Sequence, residues 1–462
     1  MFMRLLTFSV LFLAICSLIG CTPEKPIPDA TLVVNLANTG SDKLELFNIE
    51  KEIHQELAGE KDSIALALSD EIILDLSQGR SHSYIHVKPG MQIALDTIAS
   101  KPIQLGVAEP ASKENAYLVS FASISKNQEN AYSMRAIAGN EVDGFLIQIN
   151  EKYAPLAALI AEVQADTKVS ESFKSALAIR LTAIKGNDLL NYEGWHNYLK
   201  KKYPELPANF YEEIEALNFS DPALLVFEES RQLSVAWATK DLSYDDFSSD
   251  AAYFDAALAK VKETYPNTLL GDYCALQTVS DQINYGSGID GSDEMVEAFR
   301  ASVSNKYLND KLNQTLEPWV NLKSGMDAPD FSAFNRDGEP VKLSQLKGKK
   351  VYIDVWATWC GPCVKEIPSL KALESELHEE DIVFVSVSID KEADKEKWLS
   401  FIAKEELQGV QLMAKDDWKS DVASAYNIKG IPRFLLIDSE GKIISANAPR
   451  PSDPTIREVL LQ

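Results

Sequence analysis

The chain has 462 residues, 45 Lys and Arg against 69 Asp and Glu for a formal net charge of −24, and an apolar fraction of 45%. That length exceeds one ordinary hydrophobic core and predicts several domains, while 18 Phe, 16 Tyr and 7 Trp exclude wholesale disorder. The acidic balance offers no basic arm to a phosphate backbone and argues against nucleic acid as a partner. Five cysteines are too sparse for a disulfide-stapled scaffold, so their positions matter more than their number.

The chain opens MFMRLLTFSVLFLAICSLIGC, with one positive charge at Arg4 and an apolar run from Leu5 to about Ile15. It is too short to span a bilayer as a mature helix and has the layout of a secretory signal. Leu18-Ile19-Gly20-Cys21 resembles the lipobox of bacterial lipoproteins. That resemblance implies a signal peptide over 1–20, removed together with Cys16, and a diacylglycerol on the Cys21 sulfur. Acyl chains anchor a protein at roughly 0.8 kcal/mol per buried CH₂. The expected location is the cell envelope, lipid-anchored and facing the periplasm, with inner or outer membrane left open. Residues 21–28, with Pro23, Pro26 and Pro28, form a stiff lipidated tether.

Residues 29–108 alternate short apolar runs with Gly, Asn and Asp, which predicts a small antiparallel, sandwich-like β domain. His82 and His86 lie four apart, on one face of a strand. Without a third ligand nearby they are better explained as two ordinary strand imidazoles than as a metal pair. Residues 109–322 turn helical, with apolar residues three and four apart over 148–164, 170–185, 195–201 and 247–265. Ser220-Asp221-Pro222 predicts a capped helix start, and Cys274, among apolar neighbours, a small core residue. Residues 325 onward hold 18 basic and 24 acidic side chains, so most of the net charge precedes them and predicts a solvated acidic face.

Residues 325–462 carry the chemistry. The apolar run Val351–Trp356 predicts a buried strand leading into Ala357-Thr358-Trp359-Cys360-Gly361-Pro362-Cys363 and then a helix, inside a βαβ unit that continues into a hairpin. A Cys-x-x-Cys at that junction places Cys360 at a helix N-terminus, where free amides and the helix dipole favour its thiolate. Cys363, one turn deeper, resolves the mixed disulfide that Cys360 forms. A zinc site would need a second ligand pair that the scattered histidines do not supply, so neither metal nor cofactor is expected. Asp354 sits in an otherwise apolar strand, where burial would raise its pKa and suit it as the general base for Cys363. Pro432, after Gly430-Ile431, marks a place for a cis bond that leaves the Ile431 backbone free for an extended substrate.

The ordered series Gly325-Met326-Asp327-Ala328-Pro329-Asp330-Phe331, Leu343 to Lys349, WATWCGPC from Trp356 to Cys363, Glu366, Pro368, and Gly430-Ile431-Pro432 before Leu436 to Gly441 resembles the TlpA/ResA-type thiol-disulfide oxidoreductases of the thioredoxin superfamily. The resemblance implies a C-terminal thioredoxin-like α/β domain in a multidomain α+β chain. It implies catalytic Cys360 and Cys363, Asp354 at the buried-acid position, and Pro432 at the cis-proline position. Trp359, Gly361, Pro362 and Ile431 would border the substrate, and Glu366 is a candidate for redox tuning. Arg433 departs from the threonine common after that proline. The lipoprotein start and the middle region resemble larger TlpA-like lipoproteins of Bacteroidetes.

The expected activity is disulfide reduction on protein disulfide or dithiol partners, recharged by a membrane electron-transfer partner, with cytochrome c maturation a candidate process. Two alternatives stand beside it. A thiol peroxidase would need Pro and Thr where Ile353 and Ala357 stand, and a non-enzymatic envelope binding lipoprotein would leave the cysteine pair idle.

Overall fold

The computed structural model describes residues 29–35, 44–57, 61–79, 81–98, 104–108, 112–286 and 288–462. The expected signal peptide, the lipidation site at Cys21 and the tether to Pro28 lie outside the described residues. The chain divides into two compact units, one reaching Phe47 and including Gln55–Ala122, the other comprising Asn48–His54 and Ser123–Gln462.

The first unit is built from β1 (Ala30–Asn35), β2 (Leu44–Asn48), β3 (Ile53–Leu57), β4 (Lys61–Leu66), β5 (Ile72–Gln78), β6 (Ser81–Val87), β7 (Gln92–Ile98) and β8 (Gln104–Ala108). They form two four-stranded sheets, in the orders β4-β1-β7-β8 and β3-β2-β5-β6. The strands β1 with β4, β7 with β8, β2 with β5 and β5 with β6 pair antiparallel, as alternating hairpin strands do. The β1–β7 pair is parallel, a departure from the all-antiparallel expectation. A parallel pair needs a long connection, which the five intervening strands supply. Strand β5 is interior to its sheet and buried along most of its length.

His82 and His86 do share a strand, but their rings find different partners. His82 Nδ1 lies 2.9 Å from Asp75 Oδ1, while His86 Nε2 lies 3.3 Å from Glu71.

The second unit begins with helices: α1 (Lys113–Ala131) leads into it, followed by α2 (Met134–Ile137), α3 (Val142–Ala165), α4 (Glu171–Lys200), α5 (Glu212–Glu215), α6 (Glu228–Thr239), α7 (Asp250–Thr264), α8 (Leu269–Tyr285), α9 (Asp293–Ser302) and α10 (Lys306–Leu316). Side chains cap their starts. Ser170, Thr268 and Asn305 accept from Phe173 N, Gly271 N and Leu308 N at 3.3, 3.0 and 3.0 Å. The stretches expected separately at 170–185 and 195–201 are one helix of 30 residues. Gly186 does not break it, because it serves close packing: a Cβ there would lie 2.9 Å from Leu233 of α6. Among the described residues no helix is long and apolar enough to cross a membrane.

The C-terminal part of the same unit contains β9 (Ser332–Phe334), β10 (Pro340–Lys342), β11 (Lys350–Trp356), α11 (Gly361–Glu376), β12 (Ile382–Ser388), α12 (Lys395–Glu405), β13 (Val410–Met413), α13 (Asp421–Ala425), β14 (Arg433–Ile437), β15 (Ile443–Ser445) and α14 (Ile456–Leu461). Its sheet has the order β10-β9-β13-β12-β11-β14-β15. Strand β11 is central, parallel to β12 and antiparallel to β14, so its residues are buried from Val351 to Trp356. Tyr352, Phe384, Phe434 and Leu436 of the sheet pack against Leu370, Leu373 and Leu377 from α11 and its C-cap. That contact fixes where the start of α11 sits relative to the end of β11.

Candidate active site

Strand β11 ends at Trp356 and the chain turns through four residues into α11. Cys360 is the N-cap, and its Sγ accepts from Cys363 N at 3.2 Å, taking the place a serine hydroxyl would hold. Pro362 lies in the first turn, where its missing N–H costs nothing. Cys360 and Cys363 form a disulfide with a Cα–Cα distance of 5.3 Å, and both are almost wholly buried. A side chain at Gly361 would meet no atom within 4 Å, so the surface over this turn is open to an incoming chain.

The opposite wall is the loop before β14. The Ile431–Pro432 peptide bond is cis, and the Ile431 carbonyl oxygen lies 3.7 Å from Cys360 Sγ. Ile431 and Pro432 are half-buried. Trp359 is 52% exposed beside Cys360, and its ring centroid lies 6.3 Å from that of Trp418, itself 40% exposed. The two indoles form an apolar ledge at the mouth of the site. Trp418 was not legible beforehand, because nothing in the spacing of its loop ties it to Cys360.

Asp354 lies two residues after Tyr352 in β11, on the same face, and Tyr352 packs under α11, so the carboxyl occupies the covered face of the sheet. Burial, and secondarily the charges of Glu366 and Glu374 on α11, push its pKa up to about 8. Burial likewise pushes Glu374 up to about 7. Glu366 accepts from Ser452 N and Oγ at 3.0 and 2.9 Å, tying α11 to the C-terminal loop while adding negative charge near Asp354.

Asp390 is a further site residue that sequence reasoning missed. It is fully buried and accepts from Thr358 N at 2.9 Å, Thr358 Oγ1 at 2.7 Å and Ser388 Oγ at 2.7 Å. A carboxylate so satisfied holds the Thr358-Trp359-Cys360 turn in place. The signal was an acid two residues beyond an apolar strand, which alone does not name its partners.

Glu71, His86 and Glu114 bring one ligand atom each within 4.8 Å of one another. These are residues that could hold a metal, but the Lys88 ammonium sits 2.7 Å from Glu114 and 3.5 Å from Glu71 and supplies the positive charge there. Burial lowers the His86 pKa, keeping that ring neutral. Cys274 is a buried free thiol with its pKa raised by burial, as expected of a core residue.

A Cys-x-x-Cys disulfide at a helix N-terminus, facing a cis-proline across the edge of a central mixed sheet, defines a thioredoxin-type thiol-disulfide exchange domain. Relatives by sequence agree. The Redoxin family profile matches residues 323–460. ResA, a thiol-disulfide oxidoreductase of Bacillus subtilis, is 31% identical over 123 residues, covering 27% of this chain and 66% of that protein, just under two thirds of its length. The thioredoxin-like protein YneN of the same organism is 33% identical over 125 residues, covering 27% of this chain and 71% of that protein. The thioredoxin domain of a Bacteroides vulgatus thiol-disulfide oxidoreductase is 28% identical, covering 30% of this chain and 96% of that structure, with a TM-score of 0.28. Through its C-terminal domain the chain belongs to the thioredoxin superfamily, in its ResA/TlpA type.

Proposed function

We propose that this protein is a protein-disulfide reductase of the cell envelope, lipid-anchored at Cys21 and recharged by a membrane electron-transfer partner. The observation that carries the exchange chemistry is the Cys360–Cys363 disulfide, set between the N-terminus of α11 and the cis-proline loop above buried Asp354. In the dithiol form the Cys360 thiolate attacks one sulfur of a substrate disulfide and expels the other as a thiolate. The Cys363 thiol then gives its proton to the Asp354 carboxylate and attacks Cys360 Sγ. This breaks the mixed disulfide, releases the second substrate sulfur reduced and leaves the Cys360–Cys363 bond, a transfer of two electrons. Asp354 suits this step because its pKa of about 8 lies close to that of a thiol. The envelope location and the anchor rest on the apolar start and the Leu18–Cys21 segment. Cytochrome c maturation is one process such a reductase would serve.

The test is reduction of insulin disulfides with a thiol donor. Cys360→Ala is expected to abolish the activity. Full activity in that variant would remove the assignment.

A further inference from the structure

We infer that Tyr285, delivered by the middle helices, is a specificity-determining residue of the redox site and favours substrates with a bulky apolar side chain flanking the attacked cysteine. The inference rests on the oxidoreductase reading above. Tyr285 is the last residue of α8. A Cβ built on Gly430 would lie 3.3 Å from its Cε1 and 3.5 Å from its Cδ1, so the ring rests against the backbone that leads into Ile431 and cis-Pro432. The next carbonyl along, that of Ile431, is the one 3.7 Å from Cys360 Sγ. Despite this contact Tyr285 remains 42% exposed. A substrate segment running along the cis-proline loop to reach Cys360 would cover it.

The end of α8 that carries the ring is held by the residue that departs from the family pattern. Arg433 follows the cis-proline, is 2% exposed, donates from Nη2 to the Asn284 carbonyl, and places its guanidinium 5.5 Å from the Trp319 ring centroid. Asn284 immediately precedes Tyr285. Arg433 thus ties the C-terminal end of α8, where carbonyls lack helical partners, to the loop that presents substrate. A fixed aromatic face with little side-chain entropy to lose is suited to an apolar or aromatic neighbour of the substrate cysteine.

The test uses the full chain carrying Cys363→Ala and two peptides, one with phenylalanine on both sides of its cysteine and one with glycine there, each activated as a mixed disulfide with thionitrobenzoate. The Cys360 thiolate attacks the peptide sulfur, the peptide–thionitrobenzoate bond breaks, and both bonding electrons leave with the coloured thionitrobenzoate anion. Each rate constant is divided by that of free cysteine with the same peptide. The corrected preference for the phenylalanine peptide is expected to be about threefold to tenfold. Tyr285→Ala is expected to bring it close to one, and Tyr285→Phe to retain it, since the ring and not the hydroxyl makes the contact. A preference absent from the start, or unchanged by Tyr285→Ala, would overturn the role of Tyr285 and leave the oxidoreductase reading intact. Failure of both peptides to form an adduct on Cys360 would overturn both readings.

Discussion

Asp354 has opposite consequences for stability and for the proposed exchange reaction, and both trace to the same burial. Its folded pKa of about 8 stands above the ordinary 3.8, so between those values the native state holds a proton that the unfolded chain has released. Stability from this group is complete below about pH 4 and is lost as pH rises towards 8, where both states are ionised. Asp354→Asn, which cannot ionise, is expected to be more stable than the parent at pH 9 by on the order of a few kcal/mol, with the difference vanishing near pH 4. Urea unfolding at the two pH values reads this directly. The same variant is expected to resolve mixed disulfides about 100-fold more slowly, as loss of a general base implies. It is also expected to lose the rise of that rate with pH around 8. Asp354 was legible in the sequence because a lone carboxyl in Val351–Trp356 conflicts with its surroundings. Asp390 was not, because an acid after a strand is unremarkable until Thr358 and Ser388 are seen donating to it.

Among the elements, the junction of α8 with β14 bears most on the site. Arg433 Nη2 donates to the carbonyl of Asn284, and its guanidinium lies by the ring of Trp319, so one side chain joins the loop after cis-Pro432 to the helices before β9. Burial pulls its pKa down to about 10, which leaves it charged at neutral pH. Removing it leaves an unmet carbonyl and an uncovered indole. Arg433→Ala is expected to lower stability by about 2–4 kcal/mol, measured as a shift of the urea midpoint. The element types themselves were largely legible. Apolar spacing marked the middle helices and the run Ile382–Ser388 marked a buried strand, because each reports a local periodicity. The parallel β1–β7 pair and the unbroken helix through Gly186 were not, since both depend on which distant strand or helix lies alongside.

For the whole molecule, the middle helices and the thioredoxin-like domain, on either side of the domain boundary expected after residue 322, lie in one compact unit. Shared packing predicts a shared transition. All 7 tryptophans, from Trp195 to Trp418, lie in this unit, and so does the buried thiol of Cys274. Tryptophan fluorescence and maleimide labelling of Cys274 are therefore expected to give the same urea midpoint. Two separated midpoints would show that the helices and the redox domain unfold independently.

The sequence by itself determined the Cys360–Cys363 pair, the helix N-terminus on which it sits, the buried acid and the proline opposite, because each follows from chemistry within a few residues of chain. It equally marked the order of sheet-rich, helical and mixed segments. Tertiary structure alone decided what stands around that centre: Trp418 beside Trp359, Asp390 beneath the turn, and Tyr285 against Gly430. These partners are distant in the chain, with Arg433 and Asn284 separated by 149 residues. Contacts across such separations are selected by the packing of whole elements, which leaves no periodicity or local motif to read.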